Sequence, residues 1–495
     1  MPRTFLGRAL GAALAIASVL LTASCRDKPQ GTTRVLVIGG EPKMADPAAG
    51  PLSPPDAVLL GNVAQGLVRF DATGQIVPGL AERWNVSDDG LTYIFRIEST
   101  NWPGGKKVTA QQVAKILKRL VANASNDPIK DTLGAVSDIV AMTDRVVDIE
   151  LRAPRPNLLE ILAQPELAIS REGVGTGPFQ VEREGGSASE LRLVREEAGD
   201  DDQQARHEEV LLGSGTVSQA LGAFVAGKTD VVLGGTFADL PYALASKAAS
   251  RAIQFDPASG LFGLIPVRSG TLLDNVEVRQ LLSQAIDRGA LIDGLHVPGM
   301  VARATLLEPN LDGMPSAPQP GWLGTALTDR RPALTAAAVQ LLPAGDQKAT
   351  LRVLLPDGPG GRMLLQRLTD DWGAIGIIVQ PAADLKSADL ALIDEVAPST
   401  SAAWFLRRFR CQQVPVCDSA ADQLLDAARE TAVPAQRYAL LTQAAAAMDG
   451  AQLFIPLAAP VRWSLVADRV TGFAGNRYAR HTLTDLEQRL NPGGS

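Results

Sequence analysis

Residues 222–229 read GAFVAGKT and match GxxxxGK[ST], the pattern of a glycine-rich loop that holds nucleotide phosphates. In such a site a strand precedes the loop and a helix follows it, so that amides at the helix start meet the phosphates. Here the sequence predicts a helix over 219–226 before the loop and a strand over 230–233 after it. Because this order is reversed, we predict no nucleotide site.

Histidine and nucleophile patterns give no sign of catalysis. The three histidines, His207, His296 and His481, are far apart in the sequence, so a histidine-based metal centre is not expected. The sequence has no GxSxG or HExxH pattern, and the HEE at 207–209 lacks the second histidine. We therefore predict no catalytic residue, no metal and no cofactor.

A carboxylate in the segment 389–396, DLALIDEV, is the strongest candidate for ligand binding. The segment predicts a strand whose alternation places Leu390, Leu392 and Asp394 on one face. A carboxylate suits an ammonium partner, because charge-assisted hydrogen bonds are stronger than neutral ones. The alternative is that Asp394 is a solvated carboxylate near the end of the strand.

Aromatic and basic residues follow this segment. Trp404 is a candidate for the wall of a binding pocket, and a place in the protein core is its alternative. Arg407, Arg408 and Arg410 could meet a ligand carboxylate, whereas a solvated face is the more ordinary role for such a cluster.

The elements that must position these residues alternate between strands and helices without a long-range repeat. This alternation predicts α/β lobes with mixed sheets. The glycine-rich segment 171–178 is predicted to be a hinge or a boundary. Predicted strands cover 35–38, 91–97, 146–151, 230–233, 351–355, 377–379, 389–396, 454–457 and 462–466. Predicted helices cover 56–70, 110–122, 219–226, 276–287, 363–373, 419–430 and 435–449.

The first 25 residues are predicted to be an export signal. Basic Arg3 and Arg8 precede an apolar run over 9–21, which is shorter than the roughly 20 residues that span a bilayer. The run leads to TASC, which resembles the lipobox of bacterial lipoproteins, and that resemblance makes Cys25 the lipid anchor. An ordinary signal peptide with an incidental cysteine is the alternative. Residues 26–33 are then a polar tether.

Export would place the chain in an oxidising compartment, where the remaining cysteines can pair. Cys411 and Cys417 enclose QQVPV, and we predict a disulfide between them. Two free buried thiols are the alternative, since a metal site would need more ligands.

Composition excludes several classes of protein. A chain of 495 residues is too long to fold around a single small hydrophobic core, which suggests two or three domains. Hydrophobic residues make up 46% and charged residues 20%, which is typical of globular proteins. The net charge is −7, and a chain without a basic block is a poor nucleic-acid binder because phosphate neutralisation supplies most of that affinity.

Segments spread along most of the chain resemble the extracellular solute-binding proteins of ABC importers, in the family that takes up peptides and nickel (family 5). Their order and spacing agree with that family. The segments are EPKMADP (41–47), NVAQGLVRFDATG (62–74), VPGLAERW (77–84), SDDGLTYIF (87–95), WPGGKKVTA (102–110), GTGPF (175–179), VRQ (278–280) and AIDR (285–288).

The resemblance implies a type II periplasmic-binding-protein fold of the three-lobed cluster C, with mixed sheets and a cleft between lobes. Lobe I would be discontinuous, and the ligand would lie between lobes I and III, which close by a hinge. The expected boundaries are 34–62, 176–258 and 463–490 for lobe I, 63–175 for lobe II and 259–462 for lobe III.

The resemblance also implies the roles of site residues. Asp394 falls where peptide-binding relatives hold the peptide α-amino group, and the backbone of Leu390 and Leu392 would pair with an extended peptide. Glu41 and Lys43 lie in the opening segment, where proteins of this family contact the ligand from lobe I, opposite Asp394.

The segment departs from the family's W.ADY.EPT pattern at positions that bear on the ligand. Ala391 replaces the tryptophan, Glu395 the tyrosine and Ala397 the second acidic residue. These changes put the peptide identity of the ligand in doubt.

The function implied is capture of an oligopeptide or similar small solute and its delivery to an ABC permease, without chemistry. We expect an exported, periplasmic or extracytoplasmic monomer, anchored to a membrane by lipid at Cys25. The alternatives are a sensor or scaffold of the same fold, an envelope hydrolase, and a binder of metal chelates.

Overall fold

The computed structural model describes residues 31–123, 129–182, 190–197, 206–343 and 349–488. The predicted signal segment, Cys25 and most of the predicted tether lie outside the described residues. None of the helices in the described ranges is both long and apolar enough to cross a lipid bilayer.

The strands fall into several separate sheets of unequal size. In chain order the strands are β1 (Thr33–Ile38), β2 (Val68–Phe70), β3 (Ile76–Pro78), β4 (Ala81–Val86), β5 (Thr92–Ile97), β6 (Val136–Thr143), β7 (Val146–Leu151), β8 (Ser170–Arg171), β9 (Val174–Gly175), β10 (Gln180–Glu182), β11 (Glu190–Glu197), β12 (Arg206–Gly215), β13 (Val231–Thr236), β14 (Ile253–Phe255), β15 (Gly260–Pro266), β16 (Thr350–Leu354), β17 (Ile378–Pro381), β18 (Leu390–Val396), β19 (Ile455–Ala458), β20 (Arg462–Val466), β21 (Val470–Thr471) and β22 (Glu487–Gln488).

The helices are mostly short and alternate with the strands. They are α1 (Pro54–Val63), α2 (Ala110–Asn123), α3 (Lys130–Leu133), α4 (Leu158–Leu162), α5 (Val217–Val225), α6 (Leu240–Ala245), α7 (Lys247–Ala252), α8 (Val276–Gln284), α9 (Arg288–Leu295), α10 (Leu327–Leu341), α11 (Pro359–Gly373), α12 (Ala402–Arg407), α13 (Ser419–Glu430) and α14 (Pro434–Gly450).

Two of the predicted helices end earlier than the sequence suggested. The prediction over 56–70 is wrong beyond Val63, where α1 ends, and Val68–Phe70 is strand β2. A Cβ at Gly66 would lie 2.2 Å from the carbonyl oxygen of Leu162, so this turn packs against another part of the backbone. The helix predicted over 276–287 ends at Gln284.

The seven-stranded sheet is mixed and has the order β10-β11-β12-β1-β13-β20-β14. Strand β1 is parallel to β12 and to β13, whereas β20 runs antiparallel to β13 and β14. The carboxyl ends of β12, β1, β13 and β14 and the start of β20 therefore share one edge of the sheet. We call this edge the junction edge.

The five-stranded sheet has the order β17-β16-β18-β15-β19 and is also mixed. The chain passes from β14 to β15 through residues 256–259 and from β19 to β20 through residues 459–461. Both crossings leave the seven-stranded sheet at the junction edge. The two sheets are thus joined by a pair of neighbouring strand connections.

A hydrophobic core continues across this connection. Trp463 of β20, Phe237 after β13 and Phe262 of β15 are buried in one cluster. The rings of Phe237 and Phe262 meet edge to face with centroids 4.9 Å apart. Such pairs contribute beyond the area they bury, and this pair ties the two sheets together.

A third body is built on the four-stranded sheet β4-β5-β7-β6. Helix α2 begins after Thr109, whose hydroxyl accepts a hydrogen bond from the Gln112 amide (3.4 Å). Its side chains at Val113, Leu117 and Leu120 are buried, as the predicted one-sided spacing requires.

Candidate functional site

Strand β18 occupies an interior position in the five-stranded sheet, between β15 and β16. Leu390 and Leu392 contact the hydrophobic cluster on one face, whereas Ala391 and Ile393 lie in the cluster on the other face. The alternation predicted for this segment is therefore confirmed.

The two leucines differ in the space beside their backbone. Leu390 is paired with Pro266 of β15 and with Val353 of β16, and its side chain is fully buried. The prediction that the Leu390 backbone pairs with a ligand is wrong, because protein strands occupy both of its flanks.

Beyond Ala391, strand β16 ends, and its last residue Leu354 pairs with Ala391. From Leu392 to Val396, β18 is paired with β15 on one flank, and no strand among the described residues pairs with the other. This open flank can accept an extended chain, with the Asp394 carbonyl oxygen on it already bound by Arg462.

Asp394 lies on this open stretch and is bound to Arg462 across the junction. The Arg462 guanidinium donates from Nη1 to Asp394 Oδ1 (2.7 Å) and from Nη2 to the Asp394 carbonyl oxygen (2.9 Å). The two side chains are only 18% and 17% exposed. Burial raises the pKa of the Asp394 carboxyl, and the Arg462 charge opposes part of that rise.

Arg462 is the first residue of β20 and pairs with Thr236 at the end of β13. The ion pair therefore joins the junction edge of the seven-stranded sheet to β18 of the five-stranded sheet. Sequence reasoning missed Arg462. A basic residue at the start of a predicted strand is a weak signal, and nothing in the sequence pairs it with a residue 68 positions away.

Glu41 and Lys43 follow β1 at the same junction edge, and both are exposed. The Lys43 amide donates to the side chain of Asp56 (2.7 Å). Among the described residues, no hydrogen bond or ion pair joins either side chain to Asp394. The structure thus places them on the expected sheet edge without bringing them into contact with β18.

Trp404 lies in α12 and is 5% exposed. Its ring meets Phe405 edge to face with centroids 5.0 Å apart, inside a hydrophobic cluster. The prediction of a pocket-wall role is wrong, because the side chain is covered by the core that it helps to form.

The basic cluster after α12 is engaged within the protein. Arg408 pairs with Glu395 (3.0 Å), and Arg410 pairs with Asp426 (2.5 Å). Cys411 and Cys417 form a disulfide with Cα atoms 5.1 Å apart, which closes the loop before α13.

The loop after β18 is held by the body of the four-stranded sheet. Thr400 donates its amide to Glu160 Oε2 (2.6 Å), and its hydroxyl accepts from Asn157 Nδ2 (2.7 Å). Gln164 Nε2 donates to the carbonyl oxygen of Pro398 (2.7 Å). These bonds attach the loop that follows β18 to the body of the four-stranded sheet.

A cavity of about 720 Å³ lies within the body of the five-stranded sheet, and Asp394 is not among the residues that line it. Apolar residues of the 304–322 segment and α14 form much of its wall, together with Asp449. Asp449 Oδ1 accepts a hydrogen bond from the Leu306 amide (2.9 Å), and burial raises the pKa of this carboxyl from 3.8 to about 7.

Other chemistry considered from the sequence finds no site in the structure. Residues 222–229 run from α5 into β13, so the helix precedes the strand as predicted. Within the described ranges, no group of three His, Cys, Asp or Glu side chains is arranged to hold a metal ion.

Two joined α/β bodies with mixed sheets and a third body beside them define a periplasmic-binding-protein fold. Solved structures that resemble the chain over most of its length have this fold. The Escherichia coli murein tripeptide binding protein MppA matches with a TM-score of 0.76 at 16% identity, over 93% of this chain and 99% of that one. Haemophilus influenzae OppA, solved in complex with RPPGFSPFR, matches with a TM-score of 0.74 at 15% identity, over 93% and 100%.

Residues 75–400 match the family model described as bacterial extracellular solute-binding proteins, family 5 Middle. The chain belongs to this family, which confirms the predicted family and the α/β fold with mixed sheets. The family is one of solute-binding proteins, so the prediction of a non-enzymatic function is also confirmed.

Curated relatives match with higher sequence identity but over smaller parts of the chain. Dipeptide-binding protein DppE of Bacillus subtilis is 28% identical over 153 residues, which cover 25% of this chain and 28% of that protein. Di/tripeptide-binding protein 1 of Pseudomonas aeruginosa is 24% identical over 392 residues, 68% of this chain and 69% of that protein. Several relatives are thus matched over only about a quarter of their length.

Proposed function

We propose that the protein is the substrate-binding component of an ABC importer, which captures a peptide-like solute and delivers it to a membrane permease. The observation that carries this proposal is the open flank of β18 beside the junction edge of the other sheet. An extended solute can pair with this flank while residues from the facing edge close over it. Enclosure would exclude water and strengthen each polar contact.

The proposed lobes follow the sheets. Apart from Thr33 and Arg462 at its boundaries, the seven-stranded sheet belongs to lobe I (34–62, 176–258 and 463–490). The four-stranded sheet belongs to lobe II (63–175) and the five-stranded sheet to lobe III (259–462). Closure would turn lobe III against lobe I about the crossings at 256–259 and 459–461. Hinges of this kind need few residues that change their backbone angles.

Relatives support the class of solute. Proteins named for binding dipeptides and di- or tripeptides are among those that match in sequence, and the OppA structure contains a nine-residue peptide. We propose an exported monomer held at a membrane by lipid on Cys25, with no cofactor and no nucleic-acid partner.

The test is identification of the bound solute. Protein purified under native conditions would be denatured, the released small molecules identified by mass spectrometry, and each candidate returned to ligand-free protein in a thermal-shift assay. A ligand at 100 times its Kd should stabilise the fold by about 2.7 kcal/mol. The proposal fails if no peptide or related small solute shifts the unfolding transition, or if the solute is chemically changed.

A further inference from the structure

The ion pair between Asp394 and Arg462 bears on which chemical group a solute can place there. In a site that selects an ammonium group, the carboxylate must be available to the incoming positive charge. Here Asp394 Oδ1 and the Asp394 carbonyl oxygen both accept hydrogen bonds from Arg462. One oxygen of this carboxylate and the adjacent carbonyl are therefore already bound by a cation of the protein itself.

The guanidinium is held firmly where it lies. Besides its two bonds to Asp394, Arg462 Nη1 donates to the carbonyl oxygen of Val461 (2.8 Å). Its backbone is fixed at both sides, since β20 pairs with β13 at Thr236 and the Arg462 carbonyl accepts from the Asp256 amide (3.0 Å). An ammonium ligand would have to break several bonds or share the carboxylate with a second cation.

The charges near Asp394 do not favour a second cation. Arg462 balances Asp394, and both side chains are mostly withdrawn from water. The next carboxylate, Glu395, points to the other face of β18 and is paired with Arg408. A free ammonium added beside Asp394 would therefore bring an uncompensated positive charge into a poorly hydrated place, which is unfavourable.

The N–H groups of Arg462 that make no bond within the described part of the protein can bind a hydrogen-bond acceptor of the solute. A guanidinium has five N–H groups, and three are used in the bonds to Asp394 and Val461. Its Nε–H and one Nη2–H have no hydrogen-bond acceptor among the described residues. Nη2 lies against β18, where it binds the Asp394 carbonyl oxygen, and the two remaining N–H groups can donate to a carbonyl oxygen of a solute.

We propose that the solute presents a neutral acyl or amide carbonyl, and not a free ammonium, to the Asp394–Arg462 pair, and that Arg462 determines this specificity. This inference rests on the proposed function and names the class of its substrate: a peptide-like solute whose amino end is blocked. Asp394 is then a positioning residue, because it acts by holding the guanidinium.

Isothermal titration calorimetry with Ala-Ala-Ala and N-acetyl-Ala-Ala-Ala tests the inference. The wild-type protein should bind the acetylated peptide about tenfold more tightly, a difference of about 1.4 kcal/mol. Arg462→Gln frees the carboxylate and should reverse this order. Arg408→Gln is the matched control, since it removes a guanidinium from the neighbouring ion pair and should keep the wild-type order.

Arg462→Lys provides a second variant should Arg462→Gln fold poorly. It keeps a cation on Asp394, so the acetylated peptide should remain the preferred ligand. The inference is overturned if the wild-type protein prefers the free amine, or if a folded Arg462→Gln variant keeps the wild-type order. Binding of neither peptide by any form would instead contradict the proposed peptide-like ligand, and this inference with it.

Discussion

At the scale of single residues, one ion pair defines the candidate site. Asp394 and Arg462 come from different sheets and are mostly buried, so each depends on the other for charge balance. A buried pair adds little net stability compared with apolar residues, yet removal of one partner is costly because a charge remains without compensation.

Asp394→Ala should therefore lower the free energy of unfolding by about 3 kcal/mol, since Arg462 would stay at the junction without its partner. Urea denaturation followed by circular dichroism measures this change. Glu395→Ala is the control, because Glu395 and Arg408 form a more exposed pair whose loss should cost less than about 1 kcal/mol. Equal losses of unfolding free energy in the two variants would contradict the description of Asp394 and Arg462 as the more buried ion pair.

The buried carboxyl of Asp449 leads to a second prediction, which concerns how the stability of the fold depends on pH. The folded protein keeps a proton on this carboxyl up to a pKa of about 7, whereas the unfolded chain releases it near 3.8. The contribution of Asp449 to stability is therefore present at low pH and is lost as the pH rises between these values, by up to about 1.4 kcal/mol per pH unit.

Asp449→Asn keeps an oxygen for the Leu306 amide and removes the titration. The variant should gain stability relative to the wild-type protein as the pH is raised from 4 to 7. Thermal unfolding of both proteins across this range measures the difference, and a difference that does not change with pH would show that the carboxyl titrates normally.

At the scale of elements, close packing at β13 sets the shape of the sheet. Gly235 lies beside Trp463 of β20, and an added Cβ would lie 2.1 Å from the indole ring. The β13 register shifts between Val232 and Gly235, so the irregular stretch accommodates the ring.

Gly235→Ala should lower the free energy of unfolding by about 1–3 kcal/mol, because Trp463 has no free space into which it can move. Gly222→Ala is a matched control inside helix α5, where an added Cβ meets no atom within 4 Å. That change should raise stability by roughly 0.5–1 kcal/mol, since alanine is the better helix former. Chemical denaturation of both variants would separate the two effects, and a neutral Gly235→Ala would contradict the packing described.

Most elements are predictable from local patterns. The apolar spacing of Val113, Leu117 and Leu120 predicts α2, and the strand predicted over 462–466 is β20 itself. The site is less predictable. Alternation places Asp394 on the correct face of β18, but local patterns cannot show that β16 ends beside Ala391 or that Arg462 arrives from another sheet.

At the scale of the whole molecule, the two strand connections at the junction make closure a simple motion. The bodies of the seven-stranded and five-stranded sheets share these connections and the packed rings of Phe237 and Phe262. Thr400 and its partners hold the five-stranded body to the body of the four-stranded sheet. Closure would therefore move the seven-stranded body against the other two.

Binding of a solute should make the molecule more compact. Small-angle X-ray scattering with and without a saturating ligand should show a smaller radius of gyration in the bound state. A ligand that binds tightly without changing the scattering curve would contradict closure about the two connections.

The position of β20 between β13 and β14 also affects how the protein is made. Its residues Arg462–Val466 come long after β14 in the sequence, yet among the described residues β14 joins the seven-stranded sheet only through them. This sheet can therefore be completed only after Arg462–Val466 have emerged, whereas all strands of the four-stranded sheet, within Ala81–Leu151, are available much earlier. Growing chains thus keep β14 without its partner strand until β20 has emerged.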